Sequence, residues 1–410
     1  MTENSWLSGQ ERDSGRTARP LRAEKEAVSY RRLSTKTGIM GEIFRVDLHA
    51  DAGFADGSTS AHIGSALDRS HLNSALQIPS PTGSHWKQSL GDAIRDIDTL
   101  LDALGLPREL ATGARAAAVR FPLVVPRDYL QRMRRGDASD PLLRQVLPLD
   151  AELVEAPEFR ADPVGDLAAG LEAGVLKKYD GRVLLIASGT CAVNCRFCFR
   201  REYPYASAPH SLAAWRRALE QVDADGTIRE VILSGGDPLV LPDSLLAGLA
   251  REIAAIPHVR RLRIHTRLPI VLPDRVTPEL VSSIASTRLR PIVVVHANHP
   301  NELVGACVEA LRALVAAGFT VLNQAVLLAG VNDDADTLVE LCERLIDLRV
   351  LPYYLHQLDK VRGAAHFEVP EARGLEIVAE LRRRLPGYAV PRYVREDEGA
   401  SSKTAIIERE

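Results

Sequence analysis

From Leu176 onward the chain alternates six times between a short apolar, strand-like run and a stretch of helical period, with strands near 183–188, 230–234, 261–266, 291–296, 320–326 and 351–356. Few folds accept that rhythm. Successive β/α units wind right-handedly into a parallel sheet, and six units fall short of the eight that close a full barrel. The expected architecture is therefore α/β, a partial (β/α)6 barrel spanning 176–385, with its chemistry in the loops at the carboxyl ends of the strands.

Upstream, residues 85–175 predict a helical region. Ala93, Ile97, Leu100 and Leu104 recur at three- and four-residue intervals, and Gly105 and Pro107 supply stop signals. Residues 1–84 are rich in Ser, Gly, Ala, Asp and Arg without a sustained period, so a disordered extension is expected, with one isolated strand-like run at Ile43, Phe44, Arg45 and Val46. With 46% hydrophobic residues the chain can bury a large core, and a net charge of -3 creates no demand for nucleic acid or an anionic membrane. No apolar run reaches the roughly 18 residues of a membrane span. The amino-terminal residues lack the apolar centre of a secretory signal, which points to a reducing cytoplasm.

The loop after the first predicted strand carries three of the five cysteines, Cys191, Cys195 and Cys198, in a C-x3-C-x2-C spacing. Three thiolates can bind a [4Fe-4S] cube while leaving one iron open to a small molecule. A zinc site usually asks for a fourth Cys or His and paired C-x2-C spacing, and a disulfide would set these thiols competing within one short loop. The triplet resembles that of the radical S-adenosylmethionine (SAM) enzymes, where the open iron is chelated by the methionyl amino and carboxylate groups of SAM and the cluster delivers one electron to it.

Other strand ends carry polar clusters. The second strand closes on Gly235, Gly236 and Asp237, two residues that permit close backbone approach and a carboxylate able to accept from an ammonium. By its resemblance to the same family, this turn holds the methionyl amino group. His265, His296, His299, Asn323 and Gln324 also stand at strand ends; Gln324 joins the candidate cofactor-binding set, and no spacing makes any of the histidines catalytic.

Residues 386–410 form a carboxyl-terminal segment in which Tyr388 to Tyr393 read as a strand, followed by a loop through Glu396 to Ser402 and then Lys403. By composition alone Lys403 is a solvated charge. The segments SGTCAVNCRFCFRREYPYA, ILSGGDPL, RIHTRLPIVLPDRVT, LNQAVLL, PYYLHQLDKVRGAAHF and SSKT, in this order, are similar to those of the lysine 2,3-aminomutases, in particular the branch that makes (R)-β-lysine for modifying elongation factor P. The resemblance implies that Lys403 binds pyridoxal 5'-phosphate covalently, with Lys178, Tyr179 and Arg182 around that cofactor. It further implies that Arg200 grips the substrate carboxylate, and that Asp359 and Glu396 hold the substrate's ε-ammonium. Free L-lysine is the implied substrate, with a reducing electron donor and a functional link to elongation factor P and its lysyl ligase.

Glu396 departs from the aspartate of the free-lysine enzymes, and Asp334 stands where those carry a zinc-binding cysteine; both departures favour the elongation-factor branch. Three readings stand beside one another: that mutase, a general lysine or other amino-acid 2,3-aminomutase, and a non-catalytic iron-sulfur sensor. Nothing in the sequence sets the oligomeric state.

Overall fold

The computed structural model describes residues 85–172, 174–209 and 211–407; the extension expected over 1–84, with its isolated run at 43–46, lies outside them. Ten strands make one sheet in chain order: β1 (Gly170–Glu172), β2 (Val175–Leu176), β3 (Arg182–Ser188), β4 (Glu230–Gly235), β5 (Arg261–Thr266), β6 (Arg290–Val295), β7 (Thr320–Val326), β8 (Leu351–His356), β9 (Arg392–Arg395) and β10 (Thr404–Ala405). Strands β3 through β9 are parallel, and antiparallel pairs flank them at both ends, β1-β2-β3 on one side and β9-β10 on the other. Among the described residues no pairing joins β1 to β10, so the sheet stays an open, partial barrel.

The six predicted strands are present within a residue of their expected bounds. A helix links each to the next: Leu212–Ala224, Asp243–Ala255, Pro278–Ala285, Ala306–Ala316 and Ala335–Asp347. A sixth, Glu371–Arg384, leads from β8 into a seventh parallel strand, β9. The strand expected over Tyr388 to Tyr393 starts later. Gly387–Ala389 is a 3-10 turn, and Pro391, which has no N–H to give a ladder, immediately precedes the strand.

Alternation along each strand separates core from cavity. In β5, Leu262 and Ile264 are buried beneath the helices while Arg263 and His265 face inward; in β7, Val321, Asn323 and Ala325 pack outward while Leu322, Gln324 and Val326 face inward. The same inward phase collects Arg182 and Leu184 from β3, Glu230, Ile232 and Ser234 from β4, and Tyr354 and His356 from β8. Polar residues at these positions are tolerable because the open barrel encloses a cavity in place of a filled core.

The amino-terminal region forms helices at His85–Gly91, Ile97–Leu104, Leu110–Arg120, Arg127–Leu130 and Pro141–Arg144. The periodicity from Ile97 to Leu104 holds. Asp96 caps that helix by accepting from the Thr99 N–H at 2.8 Å, and Gly105 ends it in the left-handed conformation at φ 64°. Ala93 lies before the helix, next to the bridge between Ile94 and Val125.

This region bolts down the cysteine loop. Arg196, fully buried between two of the cysteines, donates to both carboxylate oxygens of Glu152 at 2.8 and 2.6 Å, and its N–H donates to the Gln145 carbonyl. Asn194 donates from its side chain to the Pro122 carbonyl and from its N–H to that of Val124. Among the described residues no helix is long and apolar enough to cross a membrane.

Candidate active site

A cavity of about 650 Å³ opens at the carboxyl ends of the parallel strands. The candidate cluster, cofactor and substrate residues all line it: Cys191, Cys195 and Cys198; Gly235, Gly236 and Asp237; Gln324; Lys178, Tyr179 and Arg182; Arg200, Asp359, Glu396 and Lys403. His265, His296 and His356 share the same wall, whereas His299 does not reach it; its ring accepts from the Asn301 N–H at 3.1 Å.

At one end the three cysteines are free, half-buried thiols. Burial pushes the Cys198 thiol up to about 11, with charge on Cys195 adding to the effect, and burial together with charge on Cys198 raises Cys191. A cationic centre shared by all three removes that cost, which is the chemistry expected of metal-bound thiolates.

The Gly-Gly-Asp turn locks onto this loop. Gly236 and Asp237 donate their N–H groups to the carbonyls of Ser188 and Thr190 at 2.7 and 2.8 Å. A Cβ on Gly236 would collide with the Thr190 backbone, and Gly235 adopts φ 120°, so the close approach is to the cysteine loop's own backbone. The Asp237 carboxylate differs from the expectation of an open ammonium acceptor. It takes the Thr266 hydroxyl at 2.7 Å and the N–H groups of Leu239, Arg267 and Leu268 at 2.7 to 3.2 Å. Burial still pushes it up to about 6. Asp237 is thus a staple between the ends of β4 and β5.

At the other end, β9 and β10 form a hairpin that returns Lys403 to Glu396, where their side chains form an ion pair. The tail read as a loop is therefore a structured turn. Glu396 also accepts from the Tyr179 hydroxyl at 2.5 Å and lies 3.5 Å from the Lys178 ammonium. Burial raises its pKa, but Lys403 and these donors outweigh that and hold it below the ordinary carboxylate value. Its carboxylate is thereby paired with Lys403, Tyr179 and Lys178.

Asp359 differs. Among the described residues no side-chain donor reaches its carboxyl, and loss of water pushes it up to about 7, against the pull of Lys403. It is the acid of this cavity poised to take a cation.

Arg200 also meets a partner that was not foreseen. Asp166, almost fully buried, lies between two cations: Arg200 Nε at 2.6 Å and Lys178 Nζ at 2.6 Å. Arg200 also donates to the Ser234 hydroxyl at 3.1 Å. Burial alone would raise Asp166, but Arg200 and Lys178 hold it below its usual range. Asp166, Arg392, Tyr354 and Ser402 are cavity residues that sequence reasoning passed over. The one available signal was phase, since Arg392 opens β9 as Arg182 opens β3.

The chain's central region, residues 185–342, matches the Radical SAM superfamily. The L-lysine 2,3-aminomutase of Haemophilus influenzae is 44% identical over 324 residues, covering 79% of this chain and 96% of that protein. The chain belongs to the lysine 2,3-aminomutase family. The L-lysine 2,3-aminomutase of Escherichia coli is 45% identical over 332 residues (81% of this chain, 97% of that protein), and that of Clostridium subterminale 33% over 325 (78% and 77%). Membership in this aminomutase family makes the chain an isomerase and implies a [4Fe-4S] cluster and SAM.

The residues present fit that pair. Three free thiols face the cavity from one loop, and among the described residues no group of three or more His, Cys, Asp or Glu is gathered around a single ion. A cube allows this, because each thiolate takes a different iron. At the cavity wall, Nε2 of His265 and Nε2 of His356 have no protein partner, polar atoms left for a polar ligand.

Proposed function

We propose that this chain is a SAM- and pyridoxal-phosphate-dependent L-lysine 2,3-aminomutase that converts (S)-α-lysine to (R)-β-lysine. The observation that carries this reading is the placement of Lys403 in the same cavity as the three cysteines, although more than 200 positions separate them in sequence. An iron-sulfur sensor has no use for a lysine amine delivered there by a dedicated hairpin.

The donor set suits pyridoxal phosphate. Arg182 and Arg392 line the wall around Lys403 and, among the described residues, neither has a carboxylate within ion-pair distance. Unpaired guanidinium groups of this kind favour a phosphate dianion. Tyr179 lies flat beneath Arg182, with the guanidinium 4.6 Å from its ring. When bound, the cluster with SAM supplies one-electron hydrogen abstraction, and pyridoxal phosphate carries the amino group as it moves.

The chain's own residues bind and orient. Cys191, Cys195 and Cys198 hold the cluster, while the Gly235-Gly236-Asp237 turn packed on their loop borders SAM. Lys403 anchors pyridoxal phosphate, with Lys178, Tyr179, Arg182 and Gln324 about the cofactors. Arg200, fixed by Asp166, faces the substrate carboxylate. Asp359 takes the ε-ammonium, whose charge favours the ionised carboxyl, and Glu396 joins it once pyridoxal phosphate occupies Lys403.

The elongation factor P branch is supported by Glu396 and by Asp334. The latter accepts from the Thr337 N–H at 2.9 Å and from its hydroxyl at 2.7 Å as the cap of the helix Ala335–Asp347, and so does the work of a helix start. The test is deletion of the gene followed by intact-mass measurement of elongation factor P. Loss of a β-lysyl increment that free β-lysine restores is the expected result; an unchanged mass, with β-lysine still made by the purified enzyme, would favour the general aminomutase.

A further inference from the structure

Arg267 ends β5 and is almost fully buried, yet only one carboxylate balances it. Its Nη2 donates to Glu302 at 2.8 Å, to the Gln145 amide oxygen at 2.5 Å and to the Tyr129 hydroxyl at 3.2 Å. Its Nη1 points the other way and donates to Cys195 Sγ at 2.7 Å, while Nε has no partner. The guanidinium lies between the rings of Tyr129 and Phe197, 5.5 and 5.7 Å from their centroids, so water does not screen it. Among the described residues, neither Cys191 nor Cys198 receives a hydrogen bond from a charged side chain; this contact is made to one thiol of the three.

Glu302 is as specialised as its partner. Fully buried, it accepts from the N–H groups of Asn298 and His299 at 2.8 and 3.1 Å and from the Gln145 amide at 3.2 Å. Four elements of the fold therefore converge on one charge pair: the amino-terminal helices through Tyr129 and Gln145, the loop after β6 through Glu302, the Gly-Gly-Asp turn through the Arg267 N–H on Asp237, and the cysteine loop. A pair needed only as a brace would use all its donors on oxygen, since leaving donors unmet in a dry interior is costly.

We propose that the Arg267-Glu302 pair tunes the reduction potential of the cluster, with Arg267 as a positioning residue that donates to the Cys195 thiolate. The inference rests on the reading that Cys191, Cys195 and Cys198 carry a [4Fe-4S] cluster. A cation beside a thiolate ligand favours the state of the cluster with the extra electron, and so raises its potential; hydrogen bonds to sulfur and local charge are the protein's means of setting it. Glu302 opposes that cation from the far side, which gives the pair two adjustable terms of opposite sign.

The test is a one-electron dithionite titration of the reconstituted holoenzyme, followed by electron paramagnetic resonance, for wild type, Arg267→Gln, Arg267→Lys and Glu302→Gln, with iron counted in each. At the wild-type midpoint potential the ratio of reduced to oxidised cluster should fall roughly threefold or more in Arg267→Gln and rise in Glu302→Gln. It should stay nearest wild type in Arg267→Lys. Unchanged midpoints, or shifts of the same sign in the Gln variants, overturn the proposal while leaving the cluster assignment intact. Should Arg267→Gln shed its iron, Glu302→Gln decides: an upward shift supports the proposal and any other result refutes it. A wild type that binds no iron, or a Cys195→Ala variant that keeps its full complement, would instead sink the cluster reading itself.

Discussion

Glu396 and Lys403 meet as an ion pair across the β9-β10 hairpin, the carboxylate at the end of one strand and the ammonium at the start of the next. Register explains the pairing. Thr404 pairs with Arg395 and Ala405 with Val394, which sets the residues just beyond those pairs face to face. The hairpin presents the amine to the cavity, where the Glu396 carboxylate, itself held by Tyr179 and Lys178, pairs with it.

Lys403→Ala should retain iron and lose covalently bound pyridoxal phosphate. Arginine should fail there as well, because its guanidinium stays protonated at any working pH. Borohydride reduction and peptide mass mapping check this. The other cavity lysine is Lys178, pinned to Asp166; Lys177 and Lys360 are paired elsewhere, with Asp225 and with Glu158. An adduct on any of these three would contradict the assignment.

Glu396→Gln should lower stability by about 1–3 kcal/mol near neutral pH, the usual effect of removing one partner from a partly buried charged hydrogen bond. The sign with pH follows from its depressed folded-state pKa. The stabilisation is complete above the ordinary carboxylate range and disappears as pH falls through the folded value. Melting curves of wild type and variant should therefore converge in acid, and a constant gap at every pH would count against this role.

Asp359 predicts the opposite slope. Its carboxyl is raised to about 7, so the ligand-free protein loses stability as pH climbs from the ordinary carboxylate range through neutrality. Asp359→Asn should melt higher than wild type above pH 7 and bind lysine at least about tenfold more weakly, consistent with loss of a charged hydrogen bond. If the variant is the less stable of the two in alkaline buffer, Asp359 does not carry the uncompensated charge described.

Gly236→Ala should cost about 1–3 kcal/mol and reduce iron retention, because the added methyl collides with backbone that no rotamer change can move. Iron content together with chemical denaturation would show it; an alanine variant of native stability would refute the locked turn.

The six strands and the cysteine loop were legible because apolar runs and a period of two or 3.6 are local properties. What stayed hidden depends on partners distant in sequence. Asp166 sits in a short loop with no period and acquires meaning only when Arg200 and Lys178 arrive from either side. The segment from Glu396 to Lys403 is made of charged and small residues that resemble a loose tail, and its order comes from two short strands pairing at the sheet edge. Asp237 looked like an open acceptor because the donors that fill it come from the end of β5 and the turn after it.

The claim that both cofactor sites serve one cavity within one chain is tested most directly by complementation. Cys198→Ala and Lys403→Ala proteins, each reconstituted anaerobically with iron, sulfide, SAM, pyridoxal phosphate and dithionite, are assayed for β-lysine separately and after mixing. β-Lysine is expected from wild type and none from either variant or from the mixture, since each chain lacks one half of its own site. β-Lysine from the mixture at a substantial fraction of the wild-type rate would contradict that claim.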